Sequence, residues 1–131
     1  MIGRAFVSLL ACTCLLLTGC QTPLVRDNPV FFRTGETLLA EGVRQFEDAN
    51  YRAAGGAIQR AIQSGLTRSS EVTAHKYLAF IYCINGRRPQ CRDEFRESVR
   101  LDPKFDLQPS EAGHPMWGPV FREVKSDVPR S

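Results

Sequence analysis

The sequence of 131 residues is poor in the side chains that build reaction centres. It holds two histidines, one tryptophan and three lysines, against fourteen arginines. His75 and His114 have no His or Cys neighbour at ligand spacing, so a metal centre of three or four ligands has no pattern to rest on. Blocks of like charge are also missing: 17 basic and 14 acidic residues are scattered along the chain and leave a formal net charge of +3. That excludes the basic stripe that tracks a phosphate backbone. No stretch alternates strictly between apolar and polar residues, which argues against a half-buried sheet. Eight prolines and ten glycines are too few for low complexity. The longest uncharged, mostly apolar run, Ala5 to Leu17, covers thirteen residues. A spanning helix needs about 20.

What is present begins with that run. It follows Arg4 at the amino end and reads as the apolar stretch of a secretory leader. It closes on Leu17-Thr18-Gly19-Cys20, which resembles the bacterial lipobox: a leucine, two small residues, then the cysteine that takes the lipid. The resemblance implies a leader over 1–19, three acyl chains on Cys20, and a chain of 112 residues from Cys20 onward. Three chains exceed the two membrane signals that stable anchoring needs. Gln21 in place of Asp resembles the lipoproteins that pass to the outer membrane. Residues 20–33 then read as lipidated cysteine and short tether, because QTPLVRDNPVFFR carries two prolines and no sustained period.

From Thr34 to Asp102 the apolar residues recur at three and four, which predicts an all-helical body. A first hairpin over 34–66 pairs a helix carrying Leu38, Leu39, Gly42, Val43 and Phe46 with one that opens after Asn50 as N-cap and stops at Gly65. A second hairpin over 67–103 starts from the polar turn Thr67–Ser70, bends at Asn85-Gly86, restarts with Pro89 in the first turn and ends at Asp102-Pro103. The hairpins resemble tetratricopeptide repeats: Leu78, Ala79, Tyr82, Gly86, Cys91, Phe95, Ser98 and Pro103 place small and aromatic residues where that packing requires them. The spacing between hairpins is 37 residues, against about 34 for that motif. The extra three are expected in the turn around Gly65 to Ser70. Gly55-Gly56, inside a helical pattern, is expected to mark a close helix contact. Two repeats cannot cover both of their ends. Residues 104–131 are the expected cap, a proline-bounded loop over Pro109–Trp117 followed by a short helix with Val120, Phe121 and Val124 as its apolar residues.

Little in this body supports catalysis. Glu47-Asp48 and Asp93-Glu94 are sequence neighbours, about 100° apart on a helix, so neither pair converges on one point. Asp93 with Arg96 and Glu97 with Arg100 have the spacing of surface ion pairs. There is no G-x-S-x-G elbow and no phosphate-cradling glycine loop. The chain reads as non-enzymatic, with no cofactor, no small-molecule substrate and no nucleic-acid partner. Cys12 and Cys14 fall in the leader and Cys20 takes lipid, which leaves Cys83 and Cys91 on either side of the Gly86-Arg87-Arg88 turn in an oxidising compartment. Three fates stay open for them, a disulfide, two unpaired thiols, or a redox or metal role, since the place of Cys91 faces the partner helix and that of Cys83 lies nearer the concave side.

The first helix of each tetratricopeptide hairpin lines a concave face. Projection places Leu39, Val43 and Phe46 there from the first hairpin, flanked by Glu36 and Glu47, and Lys76, Phe80 and Ile84 from the second, beside Thr73 and Cys83. This apolar groove would bury a peptide or helix of a partner. Equally, the chain's own Trp117 and Phe121 segment would fill it.

The lipobox, the two hairpins, Leu101-Asp102-Pro103 and the ending from Gly113 to Arg122 (GHPMWGPVFR) together resemble the small TssQ-type lipoproteins associated with bacterial type VI secretion. The resemblance spans Cys20 to about Lys125. It implies an adaptor anchored at the periplasmic face of the outer membrane by its N-terminal lipid, accessory to the secretion apparatus and acting by binding an envelope protein. Two other roles suit the same architecture: a pilotin-like assembly lipoprotein for a secretin or outer-membrane protein, and a regulator or binder of peptidoglycan metabolism.

Overall fold

A computed structural model describes residues 29–127, with side chains from Arg33 onward. The leader over 1–19, Cys20 and the tether as far as Asn28 lie outside the described residues. Six helices follow in order: α1 (Pro29–Glu47), α2 (Tyr51–Ser64), α3 (Arg68–Ile84), α4 (Arg88–Leu101), α5 (Pro109–Ala112) and α6 (Gly118–Asp127), with no strand among the described residues. α1 and α2 form one antiparallel hairpin and α3 and α4 a second. α2 packs against α3, α1 reaches α3, and α6 lies on α4.

Several boundaries differ from those the sequence suggests. α1 starts at Pro29, so the helix takes over the last part of the expected tether. Proline at the first helical position has no N–H to satisfy and a φ already set for the helix. The turns 48–50, 65–67 and 85–87 are equally short, and Arg68–Ser70 of the expected polar turn form the first turn of α3 instead. Asn50 gives α2 no side-chain cap; its amide Nδ2 donates instead to Gln45 Oε1 at 3.0 Å. Thr67 does cap α3, its Oγ1 accepting from Ser70 N at 3.3 Å. Glu36 of α1 crosses over to accept from Thr67 N at 3.2 Å and from Ser70 Oγ at 2.7 Å. The expected loop Pro109–Trp117 opens as the short helix α5, with Gln108 N–H donating to Glu111 Oε2 at 3.0 Å.

Close helix contact occurs in the first hairpin, at other glycines than Gly55-Gly56. A Cβ on Gly35 would stand 2.1 Å from the Gly65 carbonyl oxygen, and one on Gly42 would stand 2.5 Å from Ile58 Cγ1. At Gly55 and Gly56 the nearest atoms are side-chain ends at 3.9 and 3.6 Å. Both are half-exposed, and nothing in the fold presses on them.

Two buried clusters result. One joins Leu39, Ile58, Ala54, Ala61, Ala74, Leu78 and Ile81 across α1, α2 and α3. The other joins Phe80, Phe95, Val99, Leu107, Trp117, Val120, Phe121 and Val124 across α3, α4 and the cap. Phe46, Tyr77 and Tyr82 pack against both. Ser98, the buried polar residue of α4, donates its hydroxyl to the Val72 carbonyl at 3.2 Å.

Candidate partner-binding site

The expected groove runs along α1 and α3, and its second half is covered from within the chain. Trp117 stacks on Phe80 with ring centroids 4.2 Å apart. The indole is held there by its Nε1–H, which donates to the Glu111 carbonyl at 2.9 Å, and by the His114 ring stacked on it at 3.4 Å. Lys76 Nζ donates to Glu111 Oε1 at 2.7 Å, with 12% and 18% of the two side chains exposed. Its ammonium also lies 4.8 Å from the centre of the Tyr77 ring, a cation–π contact. Burial, and then the Glu111 and Glu47 carboxylates, push the Tyr77 hydroxyl above its ordinary pKa.

Of the six residues projected onto a partner, Phe80 and Leu39 are 2% and 6% exposed and cannot meet one. Phe80 lies under Trp117, and Leu39 packs with Ile58 and Leu78 in the first cluster. Lys76 is already committed to Glu111. Val43, Phe46 and Ile84 are half-buried, and the Phe46 ring sits 5.4, 5.1 and 6.0 Å from Tyr51, Tyr77 and Phe80. Glu36 is occupied with the start of α3. The groove is thus largely an internal seam. A tryptophan in a proline-bounded segment next to an apolar channel gains more by entering it than by facing water.

Cys83 and Cys91 are joined by a disulfide, 5% and 0% exposed, beside the cluster that holds Phe80 and Trp117. It fastens the end of α3 to the start of α4. His75 faces Glu94 across the same hairpin, Nδ1 to Oε2 at 2.6 Å. The two surface pairs read from spacing are formed, Arg96 to Asp93 at 3.2 Å and Arg100 to Glu97 at 2.8 Å.

One part of the face stays open. A cleft of about 530 Å³ lies between the first two turns of α3 and the connection that leaves α4; Val72, Leu101 and Phe105 wall it, and Arg68, Ser69, Thr73 and Asp102 line its polar side. Thr73 was placed on this face by projection; Arg68, Leu101 and Phe105 were not. Their role depends on how the 102–108 connection crosses the hairpin, which no local pattern encodes. Arg68 Nε donates to the Leu101 carbonyl at 2.7 Å, which fixes the guanidinium at the cleft edge.

Among the described residues no group of three or more His, Cys, Asp or Glu is placed to hold a metal ion, and no helix is long and apolar enough to cross a membrane. Comparison with protein-family models, curated proteins and solved structures finds no match to this chain.

Proposed function

We propose that the chain is a lipid-anchored adaptor: acylated on Cys20, held at the periplasmic face of a bacterial outer membrane, and binding another envelope protein as an accessory of a type VI secretion apparatus. The observation that carries the reading is the lipobox Leu17–Cys20 standing so close ahead of a two-hairpin helical domain that begins at Pro29. The intervening residues 21–28 span at most about 28 Å when extended. An acylated chain of this kind would present its hairpins against the membrane surface, within reach of the periplasmic parts of neighbouring envelope proteins. The open end of the second hairpin supports binding as the mode of action.

Two measurements test the reading in turn. Cys20→Ser is expected to abolish leader processing at Gly19-Cys20 and to release the protein from the membrane fraction; unchanged processing and fractionation would remove the anchor. Crosslinking capture of the lipidated chain in its own host is expected to return a component of the secretion apparatus. A secretin or a peptidoglycan enzyme in that place would reassign the role.

A further inference from the structure

The geometry points to the cleft between α3 and the Leu101–Phe105 connection as the place where the partner is gripped, and to a short extended segment that carries an apolar side chain beside a carboxylate. This rests on the adaptor reading and gives its partner a chemistry.

The cleft exists because the cap is short. α5 has four residues, and the segment around it meets α3 at Lys76 and Phe80, through Glu111 and Trp117. The cleft side of the first two turns of α3 is left without a cap helix over it. The resulting volume, about 530 Å³, is of the size of ordinary ligand sites. Its walls are apolar, Val72 and Leu101 with the half-buried Phe105. They suit one branched aliphatic side chain.

The polar requirement comes from Arg68. Its Nε is taken by the Leu101 carbonyl, which sets the plane of the guanidinium, while its two terminal nitrogens have no partner among the described residues. A guanidinium presented this way matches a carboxylate in fork geometry. The other cation at the cleft, Lys76, is neutralised by Glu111. Asp102 stands on the same rim, its Oδ1 accepting the Lys104 N–H at 2.9 Å. One free cation beside one fixed anion accepts a single carboxylate and repels a polyanion, which selects against phosphate-rich ligands.

The test uses the full chain, isotopically labelled, with backbone amide shifts followed on titration. Acetyl-Leu-Glu-amide is expected to move the amides of Ser69, Val72, Thr73 and Asp102 saturably. Acetyl-Leu-Gln-amide is expected to bind about fivefold more weakly, the scale of an exposed ion pair, and acetyl-Ser-Glu-amide about tenfold more weakly or worse, the scale of a lost buried aliphatic side chain. Arg68→Gln should erase the preference for Glu over Gln, with the spectrum away from the cleft unchanged; Arg68→Lys, which keeps charge without the fork, should retain part of it. Equal binding of the Gln probe, an undiminished preference in Arg68→Gln, or shifts confined to other surfaces overturns the proposal. So does octanoate moving the cleft amides when the dipeptide does not, which would make the occupant a lipid acid. In host crosslinking, a partner captured equally by wild type and Arg68→Gln overturns the cleft and keeps the adaptor. Dipeptide binding without any captured envelope protein does the reverse.

Discussion

The two hairpins are built from opposite materials. α1 and α2 meet backbone to backbone, through Gly35 and Gly42 on one side and Ala54, Ile58 and Ala61 on the other. Their ion pair, Arg44 with Glu41, stays within α1. α3 and α4 pack through rings: Phe80, Phe95 and Phe121 meet edge to face in sequence, with centroids 6.0 and 5.1 Å apart. A disulfide and the Arg88 and Arg92 pairs to Glu123 of α6 then bind the helices together. Close approach spends little side-chain surface and tolerates no added atom. Ring packing buries much surface and depends on outside segments to cover it. The first hairpin can therefore close on glycine and alanine where its helices touch, whereas the second needs the cap, and the cap needs the groove.

The largest effect should come from removing a ring. Phe95 is fully buried between Phe80 and Phe121. Phe95→Ala should cost about 3–5 kcal/mol in urea unfolding. If ring packing is what holds the cap, the fluorescence of Trp117, the one tryptophan, should change at lower urea than the far-ultraviolet helix signal. A single shared transition with unaltered Trp117 exposure would merge the two regions into one unit.

The staple comes next. The disulfide closes a loop with a sequence separation of 8, for which the chain-entropy account gives about 2–3 kcal/mol. Paired Cys83→Ser and Cys91→Ser should lower stability by that amount, and a reducing agent should lower the wild type but leave the double variant unmoved. In the first hairpin the corresponding test is to add an atom. Gly35→Ala puts a methyl group against the Gly65 carbonyl, and overpacking of this kind costs about 1–3 kcal/mol. Gly56→Ala, whose added Cβ would meet only the end of the Arg60 side chain at 3.6 Å, should instead raise stability by about 0.5–1 kcal/mol, because alanine loses less backbone freedom on folding. Opposite signs at two glycines of one hairpin would locate the close contact; equal signs would dissolve it.

These positions also mark where sequence stops being informative. The helices of both hairpins were legible, because three-and-four spacing is local and Thr67, Asn85-Gly86, Pro89 and Asp102-Pro103 punctuate it. The start of α1 was not, since the stretch before Thr34 has no period and Pro29 alone signals it. Gly55-Gly56 drew attention as a doublet, yet the glycines that matter are the isolated Gly35 and Gly42, whose neighbours come from another helix. The occupant of the groove stayed open for the same reason. Phe80 and Lys76 do lie along the expected face, and of the two expected occupants it is the chain's own Trp117 segment that covers them, from 35 residues away in the case of Lys76 and Glu111. Arg68 became a candidate only once the course of the 102–108 connection was known.

The smallest effect concerns charge, and it separates the regions by pH. Hydrogen bonding from Arg92, with Arg88 close by, holds the Glu123 carboxyl below its ordinary value of 4.5. Gln45, with Arg44, does the same for Glu41. A carboxylate whose pKa is lower in the folded state than in the unfolded chain contributes its full stability above the ordinary value, and loses it as pH falls through the folded one. Both contributions are therefore present at neutral pH, begin to fade as pH falls below about 4.5, and are lost once it has passed through the lower folded values. Each pair is exposed and worth little, but they fasten different things. Glu123 ties α6 to α4, whereas Glu41 ties α1 only to itself. Acidification should thus speed amide exchange in α6 before it touches α2. Glu123→Gln should show the faster α6 exchange already at neutral pH and lose most of its pH dependence, while Glu41→Gln should leave α6 unaltered. If both variants speed exchange equally across α2 and α6, the hairpins share one cooperative unit and the difference in their construction has no consequence for how they open.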